Sequence, residues 1–130
     1  DGEKKNDCER NAAKRLLEKI RQEHPRLPLI VVEDALSPNA PHIKELQKHK
    51  MQFILGVKEG DHAFLCDYVR QAEAEGQVEH YEVKERGIVH RFRFLNEAPL
   101  NASNQELSVN FVEYWEIGPH KTQHFAWVTD

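Results

Sequence analysis

The hydrophobic period of this sequence changes once, near Gly76-Gln77, and that change constrains the fold more than any other feature. Before it, apolar residues recur at helical spacing or gather in short continuous runs. After it, they alternate with polar residues at period two, the mark of half-buried strands. An α/β half followed by a mostly antiparallel β half is the expectation.

Within the first half, Ala12, Ala13, Leu16, Leu17 and Ile20 share one helical face, which predicts a helix over residues 7–24. Asn6 with Glu9 three residues later resembles a capping box at its start. Pro25 and Pro28 end the helix, and Leu29-Ile30-Val31-Val32 follows as a continuous run, the pattern of a strand covered on both faces. Ser37 or Asn39 can cap a second helix reaching about Lys48, with Pro41 suited to its first turn. A second apolar run over residues 51–57 predicts another buried strand, closed by the Gly60-Asp61 turn. Residues 62–75 carry Phe64, Leu65, Tyr68, Val69 and Ala72 on one helical face and stop at Gly76.

In the second half, strands are expected over residues 78–83, 88–95, 109–117 and 122–129, with turns at Arg86-Gly87 and Gly118-Pro119. Residues 96–105, rich in Asn, Ser and Pro, read as an exposed loop. The aromatics Phe111, Tyr114, Trp115, Phe125 and Trp127 are expected to form a small β core. Arg91 and Arg93 alternate with Phe92 and Phe94, which suits a strand with one wet face, or a contact to a nucleic-acid backbone.

A chain of 130 residues that is 39% hydrophobic can bury a real core, as one domain or as one and a half small ones. No apolar run reaches the length needed to cross a bilayer, so a cytoplasmic location is the expectation. Cys8 and Cys66 stand apart without CxxC spacing and read as reduced thiols. The net charge of -4 has the wrong sign for an autonomous nucleic-acid binder. Asp1 opens a polar segment, and Trp127-Val128-Thr129-Asp130 stops inside a strand-like pattern, so both ends are expected to have been cut from a longer chain.

Asp34 is the residue placed for chemistry. In an open α/β sheet, ligands gather beyond the carboxyl ends of the strands, and Asp34 stands two residues past a buried run and just ahead of a helix. A carboxylate there can hold Mg²⁺ or Mn²⁺ through oxygen, or it can cap the following turn. Position alone leaves both readings open.

Longer stretches are familiar. Asp7-Cys8-Glu9-Arg10-Asn11-Ala12-Ala13-Lys14-Arg15, Val32-Glu33-Asp34-Ala35-Leu36-Ser37-Pro38-Asn39-Ala40-Pro41-His42-Ile43 and Ile54-Leu55-Gly56-Val57-Lys58-Glu59-Gly60-Asp61-His62 closely resemble bacterial insertion-sequence transposases of the DDE type. So do Gly87-Ile88-Val89-His90-Arg91-Phe92-Arg93-Phe94 and Val109-Asn110-Phe111-Val112-Glu113-Tyr114-Trp115-Glu116, and the resemblance spans nearly the whole chain. It implies a ribonuclease-H-like catalytic domain whose Asp, Asp and Glu bind two divalent metals for attack on DNA phosphodiesters, with Asp34 the second of the three. Residues 1–60 would then be part of the catalytic core, and residues 61–130 a helix plus an antiparallel β insertion. The implied first Asp precedes this segment and the implied Glu follows it, so the segment alone should not cleave DNA. Transposon-end DNA, target DNA, Mg²⁺ or Mn²⁺ and a second copy are the implied partners.

Other candidates carry less. The eight histidines are scattered over the expected elements and give no zinc motif, and no GxSxG elbow surrounds Ser37. Asp130 also ends an apolar strand but stays outside the expected site. The rival reading is a catalytically inert structural or interaction module built on the same fold, and the acidic net charge favours it for the isolated chain.

Overall fold

The computed structural model describes residues 2–34, 39–58 and 60–130, with side chains from Asn11 onward. Its elements are α1 (Gly2–Glu23), β1 (Ile30–Glu33), α2 (Ala40–Lys48), β2 (Gln52–Gly56), α3 (Ala63–Ala74), β3 (Glu79–Glu85), β4 (Ile88–Asn101), β5 (Asn104–Ile117) and β6 (Thr122–Thr129). The fold is mixed α/β: β1 and β2 pair in parallel, and β2, β6, β5, β4 and β3 continue antiparallel in one six-stranded sheet ordered β1-β2-β6-β5-β4-β3. The expected boundary at residue 60 therefore falls within a shared sheet, since β2 precedes it, β6 follows it, and the two strands are hydrogen-bonded neighbours.

Local chemistry explains the elements. Asn39 accepts a hydrogen bond from the His42 backbone N–H at 3.0 Å, so it is the cap of α2, with proline in the first turn as expected. Ser37 lies outside the described residues. The β3-β4 hairpin turns on Arg86 and Gly87, both at positive φ (52° and 77°), the geometry that a two-residue turn needs to match strand twist. Arg21 ties the helical layer together, donating from Nε to the His49 carbonyl at 2.9 Å and from Nη1 to the carbonyls of His24 and Leu27.

Strand register assigns every residue to one of two faces. Phe53, Leu55, Val109, Phe111 and Val128 point to one face and are buried, together with Leu17 of α1, Ile43 and Leu46 of α2, and Leu65, Val69 and Ala72 of α3. All three helices thus cover the same face. Leu65 and Phe53 are at most 1% exposed, so this layer is well filled.

Four expectations are corrected. The run at residues 29–32 is not covered on both faces: Val31 packs toward the helices, whereas Ile30 and Val32 are 60% and 68% exposed, because no described helix lies on the second face. Asn6 does not mark the start of the first helix, since α1 is already helical from Gly2. Residues 96–105 are not a loop but the far part of a long β4-β5 hairpin. An extra residue between Leu95 and Ala98, with Glu97 at φ 58°, shifts the alternation so that Leu95, Ala98 and Leu100 all face the core. That parity break hides the strand from a period-two reading.

The aromatics are the fourth correction. Only Phe111 among the five is buried. Tyr114, Phe125 and Trp127 lie on the face away from the helices, stacked in sequence with ring centroids 6.3 and 5.9 Å apart. Trp115 lies on the helix side, where the Arg93 guanidinium sits 5.4 Å from its ring centroid.

Candidate functional site

Asp34 follows the last residue of β1 and is exposed. Because β1 and β2 run parallel and Glu33 pairs with Leu55, their carboxyl ends open on the same side, as the sequence reading required. The start of α2 reaches that side too. There, the Glu33 carboxylate accepts a 2.9 Å bond from His42 Nε2, and both side chains are mostly buried. A carboxylate can only accept, so this bond fixes the proton of His42 on Nε2. Glu33 thereby ties β1 to α2 beneath the neighbouring Asp34.

Asp130 is at the other end of the sheet. Its Oδ1 accepts from the Phe53 backbone N–H at 3.0 Å, near the amino end of β2, while its backbone carbonyl accepts from Asn110 Nδ2. It closes the β2-β6 ladder, away from Asp34.

Among the described residues, the only grouping of three metal-ligating side chains is Glu18, Glu45 and His49, between α1 and α2. His49 Nε2 and Glu45 Oε1, one helical turn apart, are 3.1 Å from each other. Asp34 is not part of this grouping. Asp34 offers one hard oxygen donor of the kind Mg²⁺ and Mn²⁺ prefer.

A second polar centre was missed by sequence reasoning. Glu113 of β5 is the buried charged residue among those described, at 7% exposure. Arg93 donates to its Oε1 from Nε at 2.8 Å and also from Nη2, and His124 Nε2 donates to Oε2 at 2.7 Å. Arg93 reaches on to Glu73 of α3, and His80 Nε2 stands 3.5 Å from the same carboxylate. Cross-strand register brings the group together, because Arg93 pairs with Glu113 and also with His80. A cavity of about 110 Å³ beside it is lined by Cys66, Arg70, Arg93, Glu113 and His124. The side chain of Cys8 lies outside the described ones.

Glu113 has its oxygens occupied by donors from two neighbouring strands, which suits a structural strut better than a general base. Arg93 is likewise engaged by two carboxylates, and Arg91 bonds Glu82 at 2.9 Å. Both arginines expected on a wet face are therefore in ion pairs on the helix side of the sheet. The signal for this centre was present in the alternation Arg91-Phe92-Arg93-Phe94, but partners twenty residues away become visible only once register is known.

No known family model matches the sequence, and no curated protein matches it. No helix among the described residues is long and apolar enough to cross a membrane.

Two titrating groups stand apart. Burial holds His62, at the start of α3, below its usual range, and the Asp61 carboxylate partly offsets that. Tyr114 is pushed up by desolvation and then by the Glu116 carboxylate; its hydroxyl lies 2.7 Å from His90 Nδ1.

Proposed function

We propose that this chain is a segment of a DDE-type DNA transposase, with a ribonuclease-H-like core that begins in residues 1–60 and a β-rich insertion in residues 61–130. Asp34 is the second of three metal-binding carboxylates in this reading. What supports it, beyond the residue-by-residue resemblance, is one observation: Asp34 is exposed at the joint carboxyl end of two parallel strands. Ligands of α/β sheets collect at such a position.

When two divalent ions are bound about 3.5–4 Å apart, they stabilise the attacking and leaving oxygens of a phosphodiester. The chain's own contribution is to present one carboxylate at the strand end, beside the Glu33–His42 hydrogen bond that ties β1 to the start of α2. The first Asp and the Glu belong to the rest of the protein in this reading, and the protein as a whole, this chain included, grips transposon-end and target DNA and a second copy. The 130 residues alone do not cleave DNA in this reading, and the whole protein works in the cytoplasm.

Replacing Asp34 by Ala in the longer protein and measuring Mg²⁺-dependent strand cleavage tests this. A loss of roughly 10³-fold or more is expected of a group acting in the transition state; retained cleavage removes the assignment.

A second reading, an inert interaction module, is favoured by the net charge of -4 and by the pairing of Arg91 and Arg93 with carboxylates. Titrating DNA into the chain at low and high salt separates the two. Binding that falls with salt supports DNA contact, and absence of binding at low salt supports the module.

A further inference from the structure

The sheet face away from the helices carries a continuous apolar band. Tyr81, Phe92, Tyr114 and Phe125 are cross-strand partners on β3, β4, β5 and β6, with successive ring centroids 6.1, 4.9 and 6.3 Å apart. Trp127 stacks on Phe125, and beyond it Ile54, Val32 and Ile30 extend the band to β1. Tyr81 is 59% exposed, Phe125 45%, Val32 68% and Ile30 60%. Exposed apolar residues are ordinary when scattered, but a band joined across six strands marks a contact surface. Between Trp127 and β1, Gly56 contributes no side chain, and a cavity of about 380 Å³ opens there beside Lys58, Phe125 and Trp127.

The charge borne by the strands on this face has one sign. By register, its strand residues include the carboxylates of Glu79, Glu85 and Glu116 and no Lys or Arg; Lys84, Arg91 and Arg93 all point to the helix side, and Lys58 stands past the end of β2. A nucleic acid would bring phosphates to a surface with no strand-borne cation. A second copy docking by the same face would bring carboxylates to carboxylates. The complement of this face is apolar with a basic margin. The parallel pair β1-β2 adds the shape, because parallel strands are normally covered by helices on both faces.

We infer that the open face of the sheet binds an amphipathic helix of a partner protein or domain, its apolar stripe flanked by lysine or arginine. The inference does not rest on the transposase reading.

Fluorescence of Trp127 tests this. In a Trp115→Phe chain, Trp127 is the remaining tryptophan and lies on the open face. The probe is a synthetic Leu/Lys amphipathic helix of about 18 residues, about 27 Å long against roughly 24 Å across the six strands. Saturable binding with a blue shift is expected, persisting in half-molar salt (about 0.5 M) because the contact is largely apolar. Val32→Ser with Phe125→Ser should weaken it about tenfold or more, and a Leu/Glu helix of equal length should bind at least about tenfold more weakly. Both substitutions are at exposed positions, and circular dichroism checks that the fold is kept. The inference is overturned if the two helices bind equally, if the Leu/Lys helix does not shift Trp127, or if binding vanishes with salt. It is also overturned if sedimentation shows a dimer that Phe125→Ser dissolves.

Discussion

Asn39 shows how one side chain sets the start of an element. Its Oδ1 satisfies a backbone donor of α2 that the helix cannot satisfy itself. Asn39→Ala should cost about 1 kcal/mol in urea unfolding, with an unchanged denaturant slope. Glu113 is a larger case, because removing it leaves Arg93 and His124 without their shared acceptor. Glu113→Ala should destabilise by about 3 kcal/mol, the low end for breaking a buried pair, since Arg93 keeps Glu73. His62 gives a pH signature. Its folded pKa lies below the ordinary 6.5, so in falling pH the unfolded chain takes up this proton first. Its contribution is complete above pH 6.5 and is lost as pH falls toward the folded pKa. His62→Gln should flatten that part of the stability curve, measured by urea unfolding from neutral pH downward.

At the scale of elements, the hairpins separate what sequence reveals from what it hides. The Arg86-Gly87 turn was legible because a glycine between alternating segments has one strong use, and both residues adopt the positive φ that a two-residue turn demands. Arg86→Asn should stabilise the chain by about 0.5–1 kcal/mol and Gly87→Ala should destabilise it by about 1 kcal/mol, read as opposite shifts in thermal midpoint. The far part of the β4-β5 hairpin was not legible, because the extra residue at Glu97 reverses the alternation on which strand reading depends. The run at residues 29–32 misled for a different reason. Apolar content shows what a strand can bury, whereas Ile30 and Val32 show that one of its faces has nothing described above it.

For the whole molecule, the layered arrangement was partly readable and the sheet order was not. The succession of helices and strands followed from periodicity, yet the antiparallel pairing of β2 with β6, more than sixty residues apart, depends on a register that no local pattern encodes. The same holds for function. Strand-end position and resemblance single out Asp34, while the Arg93-Glu113-His124 centre and the open aromatic face emerge only from the assembled sheet. In the two proposals made above, the carboxyl end of β1 presents a metal ligand and the open face presents a docking surface.

Metal exchange tests the role of Asp34 most directly. In the transposase that the proposed function implies, Asp34→Cys would replace a hard oxygen ligand with a thiolate, which binds softer ions in preference to Mg²⁺. The account predicts that strand cleavage by this variant is lost in Mg²⁺ and returns in part with Mn²⁺ or Cd²⁺. Full cleavage in Mg²⁺ would contradict it, because Asp34 could not then be a metal ligand.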